Sequence, residues 1–308
     1  MPISGAKNKS TIIEASVSRE SAHSTAPGTS LQLVERNIGA ILVDAGRLKL
    51  DDVERILRLQ KEQGLRFGDA ALKLKLVSAD DVQYALSRQF SYSYLRVGEG
   101  GFSNDLIAAY KPFSPQVEML RALRSQLMLR CFNEDRKALA IVSPGAKEGR
   151  SYLAANLAVV FSQLGERTLL IDADLRDPRQ HLIFNLARNT GLTSILAGRA
   201  NHDAIARIPH FSDLSVLAAG PIPPNPLELL GRSEFSRLLD ELTQKFDIIL
   251  IDTPAGVSYS DAEIVAAHAG NALMVTRKDR TPLGPAKAFV SQLTASGAAV
   301  IGGVLNKY

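Results

Sequence analysis

Short apolar runs alternate with helix-like segments along the C-terminal two thirds of the chain. The apolar runs predict strands at 138–143, 168–172, 214–218, 247–252, 272–276 and 300–305. Helical patterns at 115–132, from Ser151 onward, and at 226–246, 261–269 and 285–296 separate or precede them. Such alternation favours an α/β fold with a largely parallel sheet flanked by helices. A phosphate ligand in that fold binds at the carboxyl ends of the strands.

The N-terminal part has a different pattern, which repeats itself. Residues 37–60 and 66–89 form two similar 24-residue blocks separated by five residues. Each block predicts a short helix, a turn and a longer amphipathic helix. The longer helices are expected to start at polar N-caps, formed by Asp51, Asp52, Ser78 and Asp80.

These patterns divide the chain into four segments. Residues 1–30, rich in serine and threonine, predict a disordered tail. A small all-helical domain is expected at 31–95, and the glycines of 96–114 indicate a linker. The α/β domain is expected at 115–308.

Composition limits the classes of protein that fit. The 308 residues are 45% apolar and 22% charged, which excludes disorder for most of the length. No apolar run approaches the roughly 18 residues that cross a bilayer, and no secretory leader is visible, so we expect a cytoplasmic location. One cysteine, Cys131, excludes an internal disulfide. A net charge of +4 is only weak evidence for a nucleic-acid partner, which we do not expect, and it is compatible with docking near an acidic membrane face.

A glycine-containing loop follows the first predicted strand of the α/β domain. Residues 143–151 read SPGAKEGRS and lead directly into a helix. Backbone N–H groups of such a loop wrap phosphate oxygens, and the helix N-terminus adds partial positive charge. The standard phosphate loop has lysine where this chain has Arg150 and glycine where it has Pro144. An ordinary strand-to-helix connection is the alternative interpretation.

Carboxylates end two further predicted strands. Residues 169–176 read LLIDADLR and carry Asp172 and Asp174, and residues 246–254 read FDIILIDTP and carry Asp252. Each aspartate alone is typical of a helix or turn cap. Three of them downstream of one phosphate loop favour a magnesium site, because Mg²⁺ prefers oxygen ligands.

The three segments together resemble a known family. SPGAKEGRS, IDADLRDPRQH and FDIILIDTP occur in the order of the Walker A, A′ and B motifs of bacterial tyrosine kinases, which are deviant-Walker ATPases. GLTSILAG at 191–198 and PPNPLELLGRSEFSRLL at 223–239 are similar to further family signatures. The resemblance covers about 113–308. It is closest to the exopolysaccharide chain-length-determinant tyrosine kinases.

The resemblance implies ATP and Mg²⁺ as cofactors and gives residues their roles. Ser151 and Asp252 would hold magnesium with support from Asp174, and Asp172 would accept the proton of the attacking tyrosine. Arg150 would neutralise phosphate charge, with Lys147 as a substitute. The implied ATP-binding residues are Gly145, Ala146, Lys147, Glu148, Gly149, Arg150, Ser151, Tyr152 and Asn306. Tyr308, Tyr92 and Tyr94 are candidate phosphoacceptors.

The resemblance also implies partners. Glu118, Arg121 and Arg124 match the ExxRxxR segment through which the family assembles into rings, although a solvated helix face is the plain alternative. A membrane polysaccharide co-polymerase would hold the protein at the inner face of the plasma membrane. The competing function is a non-kinase ATPase or pseudokinase that scaffolds polysaccharide export. PPNPLELL and ExxRxxR disfavour a DNA- or septum-positioning ATPase.

The N-terminal repeat resembles the N-terminal domain of type II secretion and pilus ATPases, some of which bind cyclic di-GMP. The residues that match are Arg66, Gly39, Gly46 and Gly68. Each block lacks one element of the family pattern: block one has Asn37 in place of arginine, and block two has Lys75 in place of glycine. A helical docking module is the favoured interpretation, and a cyclic di-GMP site is the alternative.

Overall fold

A computed structural model describes residues 37–89, 95–96 and 98–307. These residues belong to one compact unit, Arg36–Tyr308. The predicted tail at 1–30 and the candidate acceptors Tyr92, Tyr94 and Tyr308 lie outside the described residues. None of the helices in the described ranges is both long and apolar enough to cross a membrane.

A seven-stranded sheet forms the centre of the α/β domain, with the strand order β3-β4-β2-β5-β1-β6-β7. All neighbouring strands are parallel except β3, which runs antiparallel to β4. The sheet confirms the predicted fold class. Its strands are β1 (Ala138–Val142), β2 (Thr168–Asp172), β3 (Ala206–Arg207), β4 (Leu214–Leu217), β5 (Ile248–Asp252), β6 (Asn271–Arg277) and β7 (Ala299–Asn306).

Strand register aligns the predicted acidic residues. Every residue of β1, β2 and β5 is buried, as expected for central strands covered on both faces. Asp172 of β2 is the register partner of Asp252 of β5. The carboxyl ends of these strands therefore meet at one edge of the sheet, where the loop after β1 also begins.

Helices cover both faces of the sheet and bury two apolar clusters. The helix after the phosphate loop, α7 (Arg150–Ser162), is buried along most of its length because it is apolar on nearly all sides. The helices of this domain are α5 (Ile107–Tyr110), α6 (Pro115–Arg130), α7 (Arg150–Ser162), α8 (Gln180–Ile183), α9 (Leu192–Leu196), α10 (Pro226–Leu230), α11 (Ser233–Thr243), α12 (Asp261–Ala269) and α13 (Leu283–Ala295).

The single helix predicted at 226–246 is wrong, because the chain forms α10 and α11 there. Gly231 is the C-cap of α10, and Arg232 then takes an extended conformation with ψ 155°. Glycine is a poor helix former, and the extended residue interrupts the helical hydrogen bonds. The apolar periodicity continues across this break, so it did not reveal it.

Part of the predicted linker lies in the core. Leu106 and three of the four residues of α5, Ala108–Tyr110, are buried, and Asn156 connects α5 to α7. The Asn156 side chain accepts from the Ala108 N–H at 2.9 Å and donates to the Asp105 and Tyr152 carbonyls, each at 2.9 Å. The boundaries of the segments themselves stay predictions.

Four helices form the N-terminal module, defined here as residues 37–89. They are α1 (Ile38–Asp44), α2 (Leu50–Gln63), α3 (Phe67–Lys73) and α4 (Ala79–Gln89). Each block supplies one short and one long helix, as the repeat predicts. Ser78 and Asp81 cap α4 reciprocally, whereas Asp51 and Asp52 lie in the first turn of α2, after the N-cap Lys49. Ser78 is thus confirmed as a cap, whereas the other three expected caps lie inside the first turns of the long helices: Asp51, Asp52 and Asp80.

Candidate nucleotide-binding site

The phosphate loop connects β1 to α7 through two residues with left-handed backbone. Lys147 has φ 59° and Gly149, the N-cap of α7, has φ 98°. The loop ends at the amino terminus of α7, where backbone N–H groups lack helical partners. This arrangement suits an anion, because the free N–H groups and the helix dipole both favour negative charge.

Arg150 points into the protein behind the loop. The side chain is 8% exposed, with Nε donating to the Thr253 carbonyl at 2.7 Å. One terminal nitrogen donates to the Gly145 carbonyl at 2.8 Å and to the Ser143 hydroxyl. The guanidinium therefore joins the start of the loop to the end of β5.

Asp252 is the buried carboxylate beside the first turn of α7. Its Oδ2 accepts from the Gln180 amide at 2.8 Å, and the same amide donates to the Ser151 carbonyl at 3.1 Å. Burial raises the pKa of Asp252 to about 6, although Arg150 and hydrogen bonds from Ser151 and Gln180 favour its charged form. Three predicted site residues, Arg150, Ser151 and Asp252, thus lie together.

Asp172 and Asp174 hold the turn that follows β2. Asp172 Oδ2 accepts from the Arg179 and Gln180 N–H groups at 3.0 and 2.9 Å, and Oδ1 accepts from the Asp174 N–H at 3.2 Å. Asp174 Oδ1 accepts from the Arg176 and Asp177 N–H groups. Burial and the neighbouring Asp252 raise the pKa of Asp172 well above its ordinary value. Capping, the plain alternative for isolated aspartates, is thus part of what both residues do.

The residues fit a hydrated divalent cation. Asp252 Oδ1 is buried and has no hydrogen-bond partner among the described residues, which leaves one carboxylate oxygen for a ligand. The described part of the chain contains no group of three or more His, Cys, Asp or Glu side chains that could form a metal cage. Mg²⁺ suits such a sparse site, because it keeps several waters and takes one or two carboxylates.

Two other predicted ATP-binding residues lie beside the loop. The Asn306 side chain, at the end of β7, donates to the Glu148 carbonyl at 2.8 Å. Tyr152 is half-buried in the first turn of α7, and burial followed by Asp105 raises the pKa of its hydroxyl. Asn306 therefore supports the loop directly. Its predicted adenine contact stays a prediction.

Three polar residues near the carboxyl ends of β2 and β5 had no predicted role in the site. Gln180 bridges Asp252 to α7. It lies within the IDADLRDPRQH motif, which was the available signal. Arg176 makes two hydrogen bonds to buried Asp261, at 3.1 and 3.2 Å, and lies 3.8 Å from the centre of the Tyr259 ring. No local pattern links Arg176 to Asp261, because they are 85 residues apart.

The ExxRxxR residues have partners within the same chain. Arg121 pairs with Glu118 one turn earlier and is only 12% exposed at its side chain. Arg124 donates to the Val160 carbonyl of α7 at 2.8 Å. The exposed member of the motif is Glu118. The fully solvated helix face, the plain alternative, therefore does not describe the two arginines.

Neighbouring side chains fill the space beside two of the predicted cyclic di-GMP residues. A Cβ on Gly39 would lie 3.1 Å from the Phe67 ring, and one on Gly68 would lie 2.9 Å from Val82 Cγ1. Gly46 has φ 66° in a turn, and Arg66 is exposed before α3. The close approach permitted by Gly39 and Gly68 is used for helix packing.

Comparison with known proteins gives consistent relatives, although no protein-family model matches the chain. The tyrosine-protein kinase CapB of Staphylococcus aureus is 37% identical over 197 residues, which cover 64% of this chain and 86% of CapB. The tyrosine-protein kinase YwqD of Bacillus subtilis is 34% identical, with coverage of 69% and 90%. The chain spans only 30% of the longer relative EpsB of Ralstonia nicotianae.

Solved structures agree with the sequence relatives. The kinase domain of the Escherichia coli tyrosine kinase ETK matches with a TM-score of 0.63 and 30% identity, covering 66% of this chain and 79% of that domain. The septum site-determining protein MinD of Pyrococcus horikoshii, in complex with Mg-ADP, matches with a TM-score of 0.50 and 27% identity. The second match covers 56% of this chain and 71% of MinD.

Proposed function

Because the chain belongs to the bacterial tyrosine-kinase family, we propose that it transfers the γ-phosphoryl group of ATP to protein tyrosines and thereby regulates exopolysaccharide chain length and export. The observation that carries this proposal is the unpartnered buried oxygen of Asp252 beside Ser151, at the amino terminus of α7. A carboxylate and a hydroxyl at that point are the donors that a magnesium nucleotide requires.

Nucleotide binding would use the backbone of the loop. The N–H groups of 146–151 would bind the β- and γ-phosphates, with the α7 dipole adding attraction. Arg150 would contribute positive charge from behind the loop, because Nε and one terminal nitrogen are directed to Thr253, Ser143 and Gly145. Lys147 is exposed at the tip of the loop, close to Arg150 in the sequence. Its ammonium group could contact phosphate from the solvent side of the loop.

Ser151 and Asp252 would hold magnesium, and Asp174 would support its water shell. When bound, magnesium would neutralise the negative charge that builds up on the phosphate oxygens. Gln180 holds Asp252 through Oδ2, so Oδ1 would be available to the metal.

Asp172 would receive the proton of the substrate tyrosine. The tyrosine oxygen forms a bond to the γ-phosphorus while the bond from that phosphorus to the bridging oxygen breaks and ADP leaves. The raised pKa of Asp172 makes the carboxylate a better proton acceptor than an ordinary aspartate. A proton on Oδ1 would displace the Asp174 N–H, whose 3.2 Å hydrogen bond is the longest that Asp172 accepts from a backbone N–H.

Purified protein incubated with ATP and magnesium tests the kinase. Phosphotyrosine, detected by antibody and by a mass increase of the intact protein, is the expected product. Asp172→Asn should lose the product while retaining ATP binding, because an amide cannot accept the tyrosine proton but keeps one of the two oxygens that hold the turn after β2. ATP hydrolysis without any phosphotyrosine, including on added tyrosine peptides, would contradict the kinase proposal.

One observation favours a second function, a non-kinase ATPase or pseudokinase scaffold. Three protein oxygens already occupy donors of Arg150, the residue at the lysine position. If the arginine stays in this position with nucleotide bound, phosphate positioning loses a donor and turnover falls. Nucleotide binding that changes the mass of the assembly without phosphotransfer identifies this alternative.

For assembly we propose a homo-oligomeric ring whose contact is Glu118 on α6. Glu118 pairs with Arg121 but is largely exposed, whereas Arg121 is mostly buried and Arg124 donates to the Val160 carbonyl of its own chain. Glu118→Lys should therefore reduce the mass seen by light scattering without lowering the melting temperature. An unchanged mass would limit this segment to intramolecular contacts. The proposed membrane partner is a polysaccharide co-polymerase, which would place the protein at the inner face of the plasma membrane.

For the N-terminal module we propose docking to a protein partner. Leu50 and Leu57 are strongly exposed and lie seven residues apart on one side of α2. Cyclic di-GMP binding at Arg66 is the alternative. Calorimetric titration of the full chain with cyclic di-GMP distinguishes the two proposals. Only a cyclic di-GMP site would give heat that Arg66→Ala abolishes.

A further inference from the structure

Glu148 places a buried carboxyl group in a loop shaped to bind anions. The residue is 3% exposed. Its Oε2 accepts from the Gly145 N–H at 2.9 Å, and its Oε1 accepts from the Thr281 hydroxyl. Burying a carboxylate is costly unless both oxygens have donors, and here both do. The side chain is therefore part of the loop's own hydrogen bonding.

Thr281 is fixed before it reaches Glu148. The Thr281 Oγ1 accepts from the Arg277 N–H at 2.8 Å, and the Thr281 N–H donates to the Arg277 carbonyl at 3.0 Å. A hydroxyl has one proton to donate, and the Arg277 contact occupies an acceptor position instead. The proton of Thr281 is thus directed to Glu148 from the turn between β6 and α13.

A third contact holds the backbone of the same residue. The Asn306 side chain donates to the Glu148 carbonyl from the end of β7. Glu148 therefore links the loop after β1 to the ends of both β6 and β7. These two strands are the next in the sheet beyond β1.

Gly145 is held from two sides. Glu148 accepts its N–H and Arg150 donates to its carbonyl. A Cβ at this position would lie 2.9 Å from Glu148 Oε1, closer than ordinary van der Waals contact. The two residues that surround Gly149 in the EGR triplet thus bind the same glycine.

We propose that Glu148 is a positioning residue, whose carboxylate joins Gly145 to Thr281 and holds the phosphate loop in the shape that binds ATP. This inference rests on the proposed function and extends it to Thr281, in the turn between β6 and α13. A loop that is ordered before binding loses less conformational entropy when the nucleotide arrives. It also keeps the γ-phosphate in the geometry for transfer, where small displacements are costly.

Thr281 gives the cleanest test, because its hydroxyl can be removed with little change in shape. Thr281→Val should weaken binding of a fluorescent ATP analogue about tenfold and lower kcat for phosphotransfer. Thr281→Ser, which keeps the hydroxyl, should restore both values to within about twofold of wild type. Thr294→Val is the matched control, since that exposed hydroxyl bonds only its own helix carbonyl at Val290.

A second variant keeps the test independent of folding. Glu148→Gln retains the shape and one acceptor oxygen, so it should fall between wild type and Glu148→Ala in both affinity and kcat. Equal ATP binding and equal kcat for wild type and Thr281→Val, with unchanged melting temperatures, would overturn the role of Glu148. Absence of nucleotide binding by the wild type would instead overturn the proposed function, and the positioning role with it.

Discussion

The helical module of 37–89 and the phosphate loop of 143–151 both depend on glycine, but for different physical reasons. In the module, side chains of adjacent helices fill the space beside Gly39 and Gly68. In the loop, Gly145 offers its own N–H and carbonyl to Glu148 and Arg150. The comparison teaches that a glycine in a motif indicates close approach, while the neighbouring residues decide what approaches.

Asp252→Asn should give the largest effect in either region. Removal of the carboxylate charge should lower magnesium-dependent turnover at least about a hundredfold, because no other carboxylate oxygen in the site is both buried and unpartnered among the described residues. Steady-state assays over a range of magnesium concentrations measure it. Turnover close to that of the wild type would show that Asp252 does not hold the magnesium ion. The exposed Asp135→Asn is the control.

The raised pKa of Asp252 also predicts that stability depends on pH, and the same variant tests this dependence. The folded Asp252 keeps its proton up to about pH 6, whereas the unfolded side chain loses it near 3.8. Folding therefore takes up a proton between these values, and wild-type stability from this group falls as pH rises through that window. Asp252→Asn, with no proton to lose, should gain up to about 3 kcal/mol relative to wild type between pH 4 and pH 7. Urea unfolding in EDTA measures the difference, and a constant difference would contradict the raised pKa.

Gly145→Ala tests the loop side of the comparison. The added Cβ meets the Glu148 carboxylate, so the carboxylate must move and the Gly145 N–H loses its acceptor. We expect about tenfold weaker ATP binding, measured by titration with a fluorescent analogue. Affinity equal to wild type would show that the loop tolerates displacement of Glu148.

Gly68→Ala tests the module side and should have the smallest effect. The added Cβ meets Val82 Cγ1 at 2.9 Å, and the resulting strain should destabilise the module by about 1 kcal/mol. Val82→Ala in the same chain should recover part of this loss, because it removes the methyl group that the Cβ meets. Circular dichroism melts measure both variants. A Gly68→Ala change that alters ATP affinity would contradict the separation of packing and site glycines.

Particular residues show how far the sequence reached. The strand at 168–172 and the helix at 261–269 were predicted at their observed bounds. A short apolar run that ends at a polar residue is typical of a buried strand, and an acidic start followed by Gly270 is typical of a helix. The break at Gly231 and the two-residue β3 were missed, since neither interrupts the apolar pattern. Motif order placed Arg150, Ser151 and Asp252 in one site. The Glu148–Thr281 hydrogen bond, between residues 133 positions apart, had no local signal.

The sequence by itself determined the helical repeat, the parallel sheet and the family, because each depends on local periodicity or on short motifs in a set order. Only the tertiary structure decided what each polar group does. Asp172 became a cap for three backbone N–H groups, Arg150 turned behind the loop, and Glu148 joined three strand ends. The reason is that a buried charge must find its partners, and those partners come from whichever strands the sheet order places nearby.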